Sequence, residues 1–315
     1  MGLPFLGASA STVVAEYPSN IADSRPAGIT VGSDGNLWFA EENAGQIGKL
    51  NPATGVVTGY ALPISGTQPG GVALGPDGNV WFTESSGDRV GSITPSGVIR
   101  EFLVPTRFSA THTITQGPDG AMWFTEKGAD KIGRVTTAGT ISEFALPKRN
   151  SSPDVIVAGP DNNLWFTESD AGRIAKITTA GAVTEYPLAS PSCPHGITRG
   201  PDGALWFVTK ASRCNTTAPR GGDAVGRITT SGALTLFPVA AGSDPHNITT
   251  GPDGNLWFTE TAANRIGRMT TAGALVEELA VPTAGSNPGS ITSGPDSTSM
   301  YFTELAGNKV GKIQL

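Results

Sequence analysis

Residues 251–273 read GPDGNLWFTETAANRIGRMTTAG, and the same string, lightly varied, recurs along nearly the whole chain. A G-P-D-G turn leads into an L-W-F-T-E segment. An I-G-R segment, a T-x-x-G turn and an E-F/Y-x-L-P segment follow, and a short G-x-I-T segment opens the next unit. Each apolar piece is short, rich in β-branched and aromatic residues, and bounded by glycine turns, which is the pattern of a strand. The turns have their own logic: in Pro76-Asp77-Gly78-Asn79 the proline presets φ, the aspartate closes an Asx-turn and the glycine accepts positive φ. The unit is therefore a four-stranded antiparallel sheet.

Trp38, Trp81, Trp123, Trp165, Trp206, Trp257 and Tyr301 mark the repeat, at spacings of 43, 42, 42, 41, 51 and 44 residues. A period of this length is that of a propeller blade. Seven markers give an all-β, seven-bladed β-propeller with four antiparallel strands per blade. The last unit ends at residues 311–315, which match only a third strand. Residues 13–17 (VVAEY) match the fourth-strand segment 98–102 (VIREF), so the N-terminal strand is expected to complete the last blade and remove an open edge. The division is a tail over 1–12 and one domain over 13–315.

Composition narrows the function. Charged residues make up 15% of the chain, below the average of about 25%, and there are 42 glycines, which argues against coiled coils. A net charge of −6 disfavours a generic nucleic-acid binder, and no apolar run approaches the ~18 residues that span a bilayer. The N-terminal MGLPFLGASAS is apolar and small-residue-rich without a basic start, and reads as the stub of a trimmed export signal. A secreted or periplasmic monomer is expected.

What repeats is read as scaffold, because a single site does not need many copies. That covers Glu41, Glu84, Glu126, Glu168, Glu260 and Glu304 as a column, and two columns of basic residues spread around the ring, so that they form no phosphate-binding patch. What breaks the repeat is read as function. Three residues before the T of G-x-I-T, the column reads Ala27, Gly70, His112, Asp154, His195, His246 and Gly289. All 3 histidines of the protein fall in it. Strand order places them at one mouth of the central channel, where three imidazoles and a carboxylate suit acid–base chemistry, metal binding, or both.

A second irregularity lies beside it. The long Trp206–Trp257 interval comes from an insertion over residues 209–223, a rim or lid on the histidine face. It carries Cys214, and the only other cysteine, Cys193, stands two residues before His195. A Cys193–Cys214 disulfide is expected, with reduced thiols as the alternative, and the bridge would imply an oxidising compartment. Thr209 replaces the repeating glutamate in this blade. The N-x-S/T triplets at Asn150, Asn215 and Asn247 are weak signals in a Ser/Thr-rich chain.

The repeat unit, intact over residues 251–273, closely resembles that of the virginiamycin B lyase (streptogramin lyase) family, and the resemblance runs from about Val13 to Leu315. That family linearises cyclic depsipeptide antibiotics by elimination with the help of Mg²⁺, and carries P-H-x-I in two adjacent blades with an acid two residues before the second histidine. Here these are Pro194-His195-Gly196-Ile197 and Pro245-His246-Asn247-Ile248, with Asp244 as the acid. The resemblance implies His246 as the proton-abstracting base, His195 as a substrate contact, and Asp244 and Glu260 as ligands of Mg²⁺. His112 and Asp154 are added as residues that shape the substrate pocket. Asp stands where the family has Glu, the histidine pair lies in blades five and six rather than the last two, and His112 and the insertion are additional. Three function classes stay open: a lyase-like enzyme acting on a small-molecule or peptide ligand, a noncatalytic extracellular binding propeller, and a propeller hydrolase or lactonase.

Overall fold

A computed structural model describes residues 11–188, 192–211 and 222–315. Twenty-eight strands form seven antiparallel four-stranded sheets, and among the described residues there is no helix. Each sheet is one blade, its first strand innermost. Blade one comprises Pro26–Val31, Leu37–Glu41, Gln46–Leu50 and Val57–Ala61. First strands of successive blades contact one another around the ring, blade seven meeting blade one. The ring closes as the sequence implies: Thr12–Pro18 pairs antiparallel with Lys309–Gln314, from Thr12 opposite Gln314 to Pro18 opposite Lys309. The closing strand is one residue longer at each end than 13–17.

The repeating residues hold the blades together. The six tryptophans and Tyr301 are buried between blades; Trp81, for example, packs with Val90, Ile114 and Phe124. Each of five tryptophans stacks on the aromatic residue of its own outer strand, as Trp123 does on Phe144 with ring centroids 5.4 Å apart. The indole N–H donates to the turn aspartate, Trp123 Nε1 to Asp119 Oδ1 at 3.0 Å, so the turn residue satisfies the one polar atom that burial would orphan. The same aspartate takes the I-G-R cation, Arg134 Nε at 2.6 Å. The glycine of that motif is required because a Cβ on Gly91 would meet the Phe82 ring at 2.2 Å.

Two features of the inner strands position the site. In every blade the register shifts across the residue of the histidine column and its successor; in blade three Thr111 pairs with Glu126 and Ile114 with Phe124, leaving His112 and Thr113 opposite Thr125 alone. This is a β-bulge, which re-aims the side chains it carries. The W-F-T-E threonines then lace the blades. The hydroxyls of Thr83, Thr125, Thr259 and Thr303 donate to the carbonyls of His112, Asp154, Gly289 and Ala27, each in the next blade, at 2.7, 2.9, 2.8 and 2.8 Å. Ala40 and Val208 stand at that position in blades one and five.

Candidate functional site

The bulges turn the histidine column into the channel, where His112, His195 and His246 line a cavity of about 400 Å³ together with Arg25, Glu42 and the inner-strand backbones. Blades five and six approach closely because residue 196 is glycine: a Cβ there would lie 2.6 Å from Asn247 Cα. The His195 and His246 rings consequently sit 5.3 Å apart, inclined at 31°.

Asp154 is fully buried behind the imidazoles. His195 Nδ1 lies 2.6 Å from its Oδ2 and His112 Nδ1 3.0 Å from its Oδ1. Lys127 Nζ reaches Oδ1 at 2.8 Å, and the Thr113 and Thr125 hydroxyls donate to the Asp154 carbonyl at 2.7 and 2.9 Å. Burial pushes this carboxyl up, but His195, His112 and Lys127 together hold it well below the usual carboxylate range, so it is ionised. An ionised carboxylate can only accept. In its neutral form each imidazole facing it must therefore present Nδ1–H, which leaves Nε2 of that ring as the acceptor. One buried aspartate thus sets two tautomers.

His246 is differently placed. Its Nδ1 is buried and has no hydrogen-bond partner among the described residues. Burial, and then the positive charge of Lys210, hold its pKa well below the ordinary histidine value, so the ring is neutral at neutral pH. Burial also lowers His112, against the opposing pull of Asp154, although 40% of that side chain is exposed. The arrangement is a set of three imidazoles, one carrying an unpartnered nitrogen, around a fixed anion; it is suited to accepting a proton.

The structure brings together His112, Asp154, His195 and His246; neither Asp244 nor Glu260 lines the cavity. Asp244 Oδ2 lies 3.4 Å from Lys210 Nζ, an ammonium whose side chain is only 4% exposed. Glu260 is buried between strands beside Glu278 and Ser243, away from the cavity lining, and is pushed up to about 7 by burial and then by the Glu278 charge. Glu84, Glu126, Glu168 and Glu304 occupy the same position in their blades, each beside an outer-strand glutamate. Among the described residues, no three His, Cys, Asp or Glu side chains gather where they could hold a metal ion. The Lys210 ammonium beside Asp244, and the burial of Glu260 beside Glu278, are what a Mg²⁺ ion on these two carboxylates would have to contend with. Cys193 is buried at the start of its strand; its expected partner Cys214, and Asn215, lie outside the described residues, as does most of the insertion.

Lys127 and Lys210 are the residues that sequence reading missed. Both directly follow the position of the repeating acid, where the ring reads Glu42, Ser85, Lys127, Ser169, Lys210, Thr261 and Leu305. Each reaches an aspartate of the next blade, Asp154 or Asp244. A second aperiodic column was the available signal.

The sequence model of the virginiamycin B lyase family matches residues 12–222 and 215–315. Virginiamycin B lyase from Staphylococcus aureus is 38% identical, with a TM-score of 0.88 over 97% of this chain and 100% of its own. A streptogramin B lyase structure is 36% identical, with a TM-score of 0.87 over 96% of this chain and 97% of its own. A catalytically inactive histidine-to-alanine variant of the Staphylococcus aureus enzyme, solved with quinupristin, matches at 38% identity and TM-score 0.88 over 97% and 100% of the two chains. A Xanthomonas campestris gluconolactonase, 14% identical with a TM-score of 0.60, covering 96% of this chain and 98% of its own, shares the fold alone. No sequence among the curated proteins matches the chain.

Proposed function

The chain belongs to the virginiamycin B lyase family, and from that premise we propose that it opens a cyclic ester or depsipeptide by elimination at the histidine face of its channel. The observation that carries this reading is the convergence of His112, His195 and His246 on one cavity, with Asp154 fixing two of the rings. A relative whose inactive form lacks a single histidine and is solved with quinupristin supports the same chemistry.

In this reading His246 is the base. A neutral imidazole takes the proton from the carbon α to a carbonyl; the C–H electrons form a C=C bond to the β carbon, and the C–O bond there breaks to release the ester oxygen as a carboxylate. The ring opens with no change in mass and no water consumed. His195, its Nδ1–H directed at Asp154, turns Nε2 to the substrate, where it accepts from an amide or hydroxyl. His112 does the same across the channel, and with Asp154 shapes the pocket. Export to an oxidising compartment, a Cys193–Cys214 bridge and function as a monomer belong to the same proposal.

The test is a cyclic depsipeptide of the streptogramin B type, incubated in H₂¹⁸O and followed by mass spectrometry. A dehydro product of unchanged mass without ¹⁸O is expected. His246→Ala should lower the rate ~10²–10⁴-fold, the range for a positioned base, while leaving the melting temperature close to wild type. ¹⁸O in the product would make the protein a hydrolase, and binding without turnover in wild type would make it a binding propeller.

A further inference from the structure

Family resemblance puts a divalent cation on Asp244 and Glu260, and the side chains found there argue for a different cation. All 27 acidic residues and 3 histidines of the protein lie within the described residues, so the rest of the insertion brings no further carboxylate or imidazole to Asp244. Mg²⁺ binds oxygens at about 2 Å in an octahedral shell. On Asp244 it would press against the Lys210 ammonium, which lies 3.4 Å from the same carboxylate. Glu260 offers no compensation, since its setting is repeated in Glu84, Glu126, Glu168 and Glu304 and is part of the blade.

Lys210, in contrast, is particular to its blade. It ends the strand Leu205–Lys210, directly opposite Cys193, two residues before His195. Its ammonium crosses the seam to Asp244, two residues before His246. It therefore stands between the two strands that carry the histidine pair. Lys127 makes the equivalent crossing to Asp154 from blade three to blade four at 2.8 Å. The insertion that follows Lys210 brings Arg213 and Arg220 and, over 212–221, no acid.

We infer that the Lys210 ammonium takes the place of a divalent metal at the Asp244 carboxylate, so that this site carries a covalently attached cation and works without Mg²⁺. Lys210 is a positioning residue: it neutralises Asp244 and holds a fixed positive charge beside the His195–His246 pair. The functional half of the inference rests on the reading of His246 as base; the exclusion of metal does not.

Two measurements on the full-length protein separate them. The first is Mn²⁺ binding by electron paramagnetic resonance, with wild type and Asp244→Asn compared at neutral pH. The two should leave the same free Mn²⁺ signal up to about 1 mM, the weak end of protein divalent-cation sites. One equivalent bound by wild type below that concentration and lost in Asp244→Asn overturns the inference, whether or not any substrate has been found. The second is turnover in excess EDTA. Wild type should be undiminished, Lys210→Arg should stay within a few-fold, and Lys210→Met should fall ~10²-fold, the usual loss when one fixed electrostatic partner is removed. Loss of wild-type turnover in EDTA, or full turnover by Lys210→Met, overturns the inference. Should Lys210→Met not fold, the wild-type EDTA result and Lys210→Arg still decide.

Discussion

Asp154→Asn replaces one oxygen of a fully buried carboxylate by an NH₂ group and leaves the volume unchanged. The carboxylate takes three cationic or donor partners: His195 Nδ1 at 2.6 Å, and His112 Nδ1 and Lys127 Nζ at 3.0 and 2.8 Å. An amide has one accepting oxygen and one donating nitrogen. Whichever way it turns, one histidine faces the NH₂, must accept on Nδ1, and carries its proton on Nε2 in the channel. Lys127 meanwhile loses its counter-charge. Removing one partner of a buried charged cluster costs about 3–5 kcal/mol; Lys127 is 34% exposed and regains some hydration, so the lower figure applies. At about 2 °C per kcal/mol for a chain of this size, the melting temperature should fall by about 6 °C at pH 7. Because Asp154 is held well below the ordinary carboxylate value in the folded protein, its contribution is full above the unfolded pKa of about 3.9 and is lost as pH falls through the folded value. The gap between wild type and variant should therefore be widest near neutrality and narrow in strong acid. Scanning fluorimetry across pH, with ¹⁵N–¹H correlation of the three imidazoles to read tautomers, checks both parts. A melting temperature within about 1 °C of wild type at pH 7, with Nδ1–H kept on both His112 and His195, would refute the reasoning.

Deleting residues 1–18 removes the outer strand of blade seven and should lower thermal stability or solubility by opening an edge; a truncated chain that melts with the full-length protein would show that closure contributes nothing. Burial and the Glu143 charge raise Glu126 to about 8, and burial likewise raises Glu84, Glu168, Glu260 and Glu304 to about 7. Folded values above the unfolded ones mean stability that is full below about pH 4 and lost as pH rises through 7 to 8, so melting temperature should decline between about pH 4 and pH 8, level off above that, and Glu126→Gln should flatten part of the decline. An unchanged slope in the variant over that window would locate the loss elsewhere. Intact-mass analysis with alkylation should find two thiols only after reduction; two thiols alkylated in the native protein would remove the Cys193–Cys214 bridge.

How much of this was legible in the sequence depended on whether a residue could be compared with its counterparts in other blades. The Trp markers and the strand at 13–17 were readable because seven copies set a baseline, and the histidine column was readable because it departs from one. Asp244 was assigned from its place two residues before His246, which is a relation along one strand. Its actual neighbour, Lys210, comes from the previous blade, and no pattern within a unit encodes which side chains meet across a seam. Lys127 and Asp154 are separated for the same reason: the contact follows from how two bulged strands lie side by side. The tautomers of His112 and His195 likewise needed the distance to a buried carboxylate before they could be derived.

The threonine lacing has a mechanical consequence. Threonine hydroxyls tie blade two to three, three to four, six to seven and seven to one. Among the described residues blade five has no tie of this column to either neighbour, since Val208 lacks the hydroxyl on one side and Thr167 is bonded only within blade four. Side-chain ties across its two seams include His195 to Asp154 and Lys210 to Asp244, beside Lys176 Nζ donating to the Thr230 carbonyl and the Thr250 hydroxyl donating to the Arg199 carbonyl. Blade five is therefore fastened to the ring partly by the groups assigned to chemistry. A ligand that draws His195 away from Asp154 also slackens that fastening, and the free energy for locally opening this blade should drop. Amide exchange in blade five should then speed up on ligand binding while the laced blades stay protected, so that the ring yields at the blade that carries its insertion.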